Sequence, residues 1–221
     1  DGDVGMSLGR VVRHEIAPGA DVIAIDGVQL KQFDYVDIGR VIEVLEGRSR
    51  PLVEGYLRAL AKEQRAAIEA VSIDPYEGYR QAVRAALPQA RLVCDPFHLI
   101  RGANQALDTV RRQRQRQRRR RAPVSVAQRR ERFRPQLFRA RRRLLKARER
   151  LSDGERDELH ELFRVEPELA EAWLLKEAFR AIYRSPDRSE AERRLARFRA
   201  AVERAGIPSF SAFAHGLEPW Q

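Results

Sequence analysis

Cysteine and long apolar runs are both scarce in this 221-residue sequence. A single cysteine excludes a disulfide scaffold and a multi-cysteine zinc module within this chain. No apolar segment approaches the roughly 18 residues that a membrane span needs. The first ten residues have neither the basic start nor the apolar stretch of a signal peptide. The composition therefore favours a cytoplasmic protein with no membrane partner.

Positive charge, by contrast, is abundant and concentrated in one segment. The whole chain has 43 basic and 32 acidic residues, a net charge of +11. Residues 101–150 alone hold 20 basic and 3 acidic residues, or +17, so the rest of the chain carries −6. This local excess favours nucleic acid, here double-stranded DNA, over the alternative of a solvated helix or basic loop. The predicted DNA-binding residues form an arginine run: Arg111, Arg112, Arg114, Arg116, Arg118, Arg119, Arg120 and Arg121.

The first hundred residues have the pattern of an α/β domain. Short apolar runs that end in an acid predict buried strands at 22–26, 70–74 and 91–95. Two further strands, 35–39 and 41–45, complete a meander with the first, and helices are predicted over 52–64, over 76–87 and from about 97. This order fits an RNase H-like mixed sheet. A Rossmann-type domain is the weaker alternative, because no glycine-rich loop follows the first strand.

The remainder of the chain is predicted to be an all-α insertion, built as a helical hairpin and a bundle. Helix starts are indicated at Ser152, at Glu166–Pro167 and at Ser189, and Gly206 has the position of a C-cap. We therefore divide the chain into the first part of a catalytic core (1–100), a helical insertion with the arginine run (101–205), and the truncated start of a segment leading back to the core (206–221). Apolar residues close to the last position predict a fragment.

Three aspartates end the predicted strands and are the candidates for chemistry. In an RNase H-like sheet Asp26 and Asp74 would end neighbouring strands, and two carboxylates so close favour a cation such as Mg²⁺ or Mn²⁺ between them. Asp74 and Asp95 each precede a proline, so helix capping is the alternative for both. His98 is either a site residue or a histidine in the first turn of a helix.

Several segments, in the same order along the chain, resemble the ISL3 family of DDE transposases from bacterial insertion sequences. The likeness rests on VIAIDG at 22–27, RVIEVLEGR at 40–48, SID at 72–74, LPQA at 87–90 with DPFH at 95–98, and LKEAFRAIY at 175–183. The most specific of these is the DPFH segment. The likeness extends from about Val22 to Trp220.

The resemblance implies a metal-dependent DNA transposase. Asp26 and Asp74 match the first two catalytic, metal-binding acids, and Asp95 and His98 become auxiliary or DNA-contacting residues. The family's third acid lies in a motif of the form N-G-x-x-E-G-x-N, which the sequence does not contain, so we expect the chain alone to be inactive. A non-catalytic DNA-binding remnant is the alternative, and an unrelated RNase H-like nuclease fits less well. The resemblance further implies a homo-oligomer at full length and association with the nucleoid.

Overall fold

A computed structural model describes residues 7–17, 20–29, 40–120 and 136–218, with side chains at Ile25, from 45 to 118 and from 137 to 218. The chain divides into two compact units, Asp1–Leu99 and Ile100–Gln221. The strands are β1 (Ser7–Ala17), β2 (Ala20–Gln29), β3 (Arg40–Leu45), β4 (Ile68–Ile73) and β5 (Arg91–Cys94). The helices are α1 (Arg50–Ala59), α2 (Lys62–Ala67), α3 (Glu77–Ala86), α4 (Pro96–Arg120), α5 (Gln136–Leu145), α6 (Asp153–Val165), α7 (Pro167–Ile182), α8 (Arg188–Ala205) and α9 (Pro208–Gly216).

The first unit is α/β, and its described strands form one mixed sheet in the order β3-β1-β2-β4-β5. β1 runs antiparallel to both β2 and β3, whereas β2, β4 and β5 are parallel. The predicted pairing of the strand that leads to Asp26 with the strand that leads to Asp74 is confirmed, because β2 pairs with β4. Parallel neighbours bring their carboxyl ends to the same edge of the sheet.

The predicted meander is wrong in one respect, since β3 pairs with the N-terminal strand β1. The first strand predicted from the sequence is 22–26, so β1 was not predicted, and the predicted strand 35–39 lies outside the described residues. Only Pro18 and Gly19 separate β1 from β2 in the sequence, and a Pro-Gly dipeptide favours a turn. A hairpin between consecutive strands needs little loop closure, which explains why β1 takes the place beside β2.

The core of the first unit lies between the sheet and its helices. Ile25, Val71 and Ile73 are at most 1% exposed, as expected for strands that are covered by helices. α1 packs on α3. The spacing of the buried residues on these helices, Val53 with Leu57 and Tyr79 with Val83, places each pair on one helix face. The predicted helix over 52–64 is split into α1 and α2, because Leu60 and Ala61 adopt extended backbone angles.

In the second unit every described element is helical, and three of the predicted helix boundaries are confirmed. The first is the start at Glu166–Pro167, since α7 begins at Pro167. The Ser152 Oγ accepts the Glu155 N–H at 3.3 Å while the Glu155 carboxylate accepts the Ser152 N–H at 2.9 Å, a complete capping box for α6. Gly206 ends α8 with a left-handed φ of 58°. The predicted start at Ser189 is wrong, because Asp187 caps α8 by accepting the Glu190 N–H.

Helix α9 packs against α4 within this unit. A Cβ atom on Gly102 would lie 2.8 Å from Cε2 of Phe213, so the glycine allows the ring to lie directly on the α4 backbone. One turn further along α4, the carbonyl oxygen of Ala106 accepts a hydrogen bond of 3.0 Å from the Ser209 hydroxyl. Phe213 also stacks edge-to-face on Phe179 at 4.9 Å between ring centroids, which ties α9 to α7. None of the described helices combines the length and the hydropathy that crossing a membrane requires.

Candidate functional site

The carboxyl edge of the sheet positions the predicted aspartates. The parallel register of β2 and β4 ends with Ile25 opposite Ile73, and each is followed in sequence by an aspartate, Asp26 and Asp74. The Asp74 N–H donates to the Ile25 carbonyl at 3.3 Å, so the two backbones remain paired up to this point. Asp26 itself lies in β2 opposite Arg10, and its side chain lies outside the described part of the chain.

The side chains of Asp74, Asp95 and His98 converge at this edge. Nδ1 of His98 lies 2.9 Å from Oδ1 of Asp74 and 2.8 Å from Oδ2 of Asp95. All three are partly buried, with side-chain exposures of 16% for Asp74, 34% for Asp95 and 24% for His98. One ligand atom from each lies within 4.8 Å of the others, a spacing that can hold a metal ion. Carboxylate oxygens suit Mg²⁺ or Mn²⁺, and an imidazole nitrogen favours the transition metals.

The capping alternative holds for one of the two Asp-Pro pairs. Oδ1 of Asp95 accepts the Phe97 N–H at 2.9 Å, so Asp95 caps α4, in which Pro96 is the first residue. Asp74 is not the N-cap residue of α3, because that helix begins at Glu77 and its N-cap is Tyr76. The Asp95 carboxylate therefore has two roles, in that one oxygen ends the helix and the other contacts His98.

The electrostatic environment at this edge is negative, and it affects the pKa of the neighbouring Cys94. Burial, together with the negative charges of Asp95 and Asp74, raises the pKa of the Cys94 thiol to about 11. A thiol with this pKa is protonated at neutral pH, so Cys94 is no nucleophile there. It ends β5 as a half-buried residue, which agrees with its prediction as a strand residue.

The arginine run does not form one uniform surface. The structure describes the side chains of its first five members, Arg111, Arg112, Arg114, Arg116 and Arg118; those of Arg119 and Arg120 and the whole of Arg121 lie outside the described residues. Arg111 is 4% exposed and bonded to Asp108 at 2.7 Å, which makes it a core residue. Of the others, Arg114 is half-buried and Arg112, Arg116 and Arg118 are exposed. Four of the five contact carboxylates.

The ion pairs of these arginines form two groups, one around Glu166 and one around Asp108. Glu166, whose side chain is 1% exposed, lies 2.7 Å from Arg114 and 2.5 Å from Arg118, and Glu168 adds a second carboxylate near Arg114 at 3.4 Å. With two acids against two bases, this group is neutral. We conclude that it holds α4 to the start of α7 and provides no surplus charge.

Asp108 forms the second group. Its carboxylate contacts Arg111 and Arg112 on α4, at 2.7 and 2.8 Å, and Arg141 on α5 at 3.4 Å. Burial raises the pKa of Asp108, but the hydrogen bond from Arg111 and the charges of the three arginines outweigh it, so that the pKa is lowered overall. Asp108 and Arg141 are not among the residues predicted from the sequence. Asp108 precedes Arg111 by three residues and Arg112 by four, which is the helical spacing of an ion pair. This spacing was the signal in the sequence that could have identified Asp108.

The LKEAFRAIY segment also has a clear structural role. Lys176 is fully buried, and its Nζ donates to the carbonyl oxygens of Leu144 at 2.8 Å and Lys146 at 2.9 Å, at the C-terminal end of α5. Burial lowers the pKa of Lys176, although the neighbouring Glu177 at 2.6 Å opposes the shift. Glu177 also binds Arg180 at 2.7 Å. The motif therefore stabilises the junction between α5 and α7.

Comparisons with known proteins agree with this architecture. The family model of ISL3-type DDE transposases, described as a transposase, matches residues 21–221. Over 190 residues the chain is 30% identical to the transposase for insertion sequence element IS1557 of Mycobacterium tuberculosis, in strains CDC 1551 / Oshkosh and ATCC 25618 / H37Rv. The alignment covers 80% of this chain and 43% of each relative, so the chain spans less than half of their length. No solved structure matches the chain significantly.

Proposed function

The chain belongs to the ISL3 family of DDE transposases, and from this premise we propose that it contributes to metal-dependent cleavage and transfer of DNA strands at the ends of an insertion sequence. The observation that carries the proposal is the common edge of β2 and β4. There Asp26 and Asp74 directly follow the last paired residues, and Asp95 and His98 contact Asp74. These are the positions that the family resemblance assigns to the acidic site.

We propose that the first unit is RNase H-like. The support is the arrangement around β2, which has antiparallel β1 on one side and parallel β4, followed by β5, on the other. In such a sheet the acids at the carboxyl ends of adjacent strands face one substrate site. The structure differs from the expected meander in that β1 supplies the strand beside β2. This difference does not affect the edge at which β2 and β4 end.

Asp26 and Asp74 would hold Mg²⁺ or Mn²⁺. A divalent ion bound there supplies activation of the attacking oxygen and stabilisation of the leaving oxygen of a phosphodiester. The chain's own residues fit this ion, since the carboxylate of Asp74 is only partly buried and lies beside two further ligand atoms. His98 orients Asp74, and Asp95 anchors both to the first turn of α4.

Duplex DNA is the proposed partner of the basic segment, with contacts to backbone phosphates that are independent of sequence. Exposed arginines such as Arg116 are suited to this role, whereas the buried Arg111 is not. Family membership is the support for transposon ends and target DNA as substrates and for a homo-oligomer as the working form.

Metal binding tests the catalytic part of the proposal. Mn²⁺ titrated into the chain and followed by electron paramagnetic resonance should bind, and D26N and D74N should each weaken that binding at least tenfold. D153N is the matched control, since Asp153 is an aspartate that is 94% exposed on α6. Unchanged Mn²⁺ binding in both variants would refute the site. DNA binding without any metal binding would favour the alternative of a non-catalytic remnant.

A further inference from the structure

The Asp108 group carries a surplus of positive charge at an exposed position. Three arginines surround one carboxylate, and the buried Arg111 is sufficient to neutralise it. The other two have exposed side chains, Arg112 at 62% and Arg141 at 52%, whereas the Asp108 side chain is only 9% exposed. The Glu166 group, by comparison, is balanced between acids and bases. Of these two groups, only the Asp108 group therefore has positive charge that is available to a ligand.

We propose that Arg112 and Arg141 form a phosphate-binding pair on the second unit and that Asp108 positions both. The ligand is the sugar-phosphate backbone of duplex DNA, so the inference rests on the proposed function and assigns residues to it. The pair draws on two helices, α4 and α5, and Arg141 lies outside the arginine run that the sequence singles out.

The contact geometry favours recognition of phosphate. In both arginines Nε is the nitrogen that approaches Asp108, at 2.8 Å for Arg112 and 3.4 Å for Arg141. A guanidinium held through Nε can present its terminal nitrogens to a second anion, and phosphate accepts two parallel N–H bonds from such a fork. Asp108 thus reduces the rotamer freedom that each long side chain would lose on binding.

Placing two guanidinium groups at one carboxylate also raises the local potential. The guanidinium groups of Arg112 and Arg141 repel each other, and the Asp108 carboxylate offsets this repulsion in the free protein. A phosphate brought to this surface is attracted by both cations, with a strength that salt screens. The expected signature is a salt-dependent contribution from each arginine.

Binding of a fluorescein-labelled duplex of random sequence, measured by fluorescence anisotropy between 50 and 200 mM KCl, tests the pair. R112Q and R141Q should each reduce the slope of log affinity against log salt by about 0.9 and weaken binding at 0.15 M salt by roughly fivefold. R188Q is the matched control. Arg188 is 91% exposed and pairs with Glu192, so its loss removes one charge elsewhere and should change affinity less than twofold.

D108N tests the positioning role, because two explanations predict opposite signs. Removal of a negative charge from a DNA-binding protein should tighten binding if only net charge matters. If Asp108 positions the pair, D108N should instead weaken binding severalfold while the circular dichroism spectrum stays unchanged. Tighter binding by folded D108N would overturn the positioning role.

Loss of Asp108 leaves the buried Arg111 without its partner, so a second variant keeps the test decisive if D108N does not fold. R112K/R141K retains both charges but lacks Nε, and weaker binding at this unchanged net charge supports the pair. Binding by R112K/R141K equal to wild type overturns it. If R112Q and R141Q behave like R188Q while the wild type still binds DNA, the pair is refuted and the proposed DNA binding stands. If the wild type binds no DNA, the proposed function fails first.

Discussion

Replacement of Lys176 by methionine would remove a buried charge and retain most of its apolar stem. In the wild type the ammonium supplies hydrogen bonds to two carbonyl oxygens, of Leu144 and Lys146, where α5 ends. Carbonyls at a helix C-terminus have no partner within the helix, and the helix dipole makes this end favourable for a cation. K176M deprives both carbonyls of a donor at a site where the lysine side chain is not exposed to solvent.

The magnitude follows from which groups lose partners. Each carbonyl left without a donor costs about 1–3 kcal/mol when buried. Glu177 keeps Arg180 at 2.7 Å, so no second charge is left unpaired. Relief of the ammonium's desolvation offsets part of the loss, since burial of a charge costs several kcal/mol. We therefore expect K176M to lower the free energy of unfolding by about 2–4 kcal/mol, a shift in Tm of roughly 10 °C.

Urea and thermal unfolding monitored by circular dichroism at 222 nm would measure this change. Fluorescence provides a local probe, because the ring centroid of Trp173 lies 5.4 Å from Nζ. K62M is the control, since Lys62 is an exposed lysine on α2 and its replacement should alter stability by less than about 0.5 kcal/mol. A K176M variant as stable as the wild type would show that desolvation of the ammonium cancels its hydrogen bonds and would refute the reasoning.

Three further predictions concern charge and metal. The hydrogen bond from Arg180 lowers the pKa of Glu149 from 4.5 to about 2. As the pH falls, the unfolded state therefore binds this proton before the folded state does, and stability decreases between pH 4.5 and about 2. E149Q should show a shallower decline of stability in acid unfolding curves. Replacement of three run arginines by glutamine, sparing Arg118 because it contacts Glu166, should flatten the salt slope of DNA binding by roughly 2 to 3 without altering the thermal transition; the three are Arg116, Arg119 and Arg120. The 221-residue chain alone should join no DNA ends in Mg²⁺ or Mn²⁺, because a two-ion clamp needs the third acid that the family resemblance implies, and robust strand transfer in a gel assay would contradict this.

Prediction from sequence succeeded where local signals are strong. Apolar runs that end in acids identified β2, β4 and β5, and their parallel pairing follows from the helices between them. The Ser152 capping box was correct because its two hydrogen bonds depend only on residues three apart. Ser189 with Glu192 has the same pattern, yet Asp187 caps the helix two residues earlier, and pattern matching alone does not rank these two starts.

Long-range pairing was the part that sequence did not reveal. β1 contains no clear alternation of apolar and polar residues, and its place depends on pairing with β2 and β3. The arginine run has no apolar stripe, so the sequence offered DNA contact and, as the alternative, a solvated helix. Ion pairs with Glu166 were not predicted, because Glu166 lies 52 residues from Arg114 and no local pattern indicates their contact. Convergence of His98 on Asp74 likewise requires β4 and β5 to be adjacent first.

The close approach of Phe213 to Gly102 has a consequence for how this family diversifies. The distance of 2.8 Å from a Cβ on Gly102 to the aromatic ring leaves no space for even one methyl group unless the ring moves. The ring is itself held against Phe179 and Phe198, so its displacement would disturb two further contacts. Natural variation at these two positions should therefore be correlated: lineages that acquire a side chain at the first will have acquired a smaller residue at the second, in either order and with a less fit intermediate.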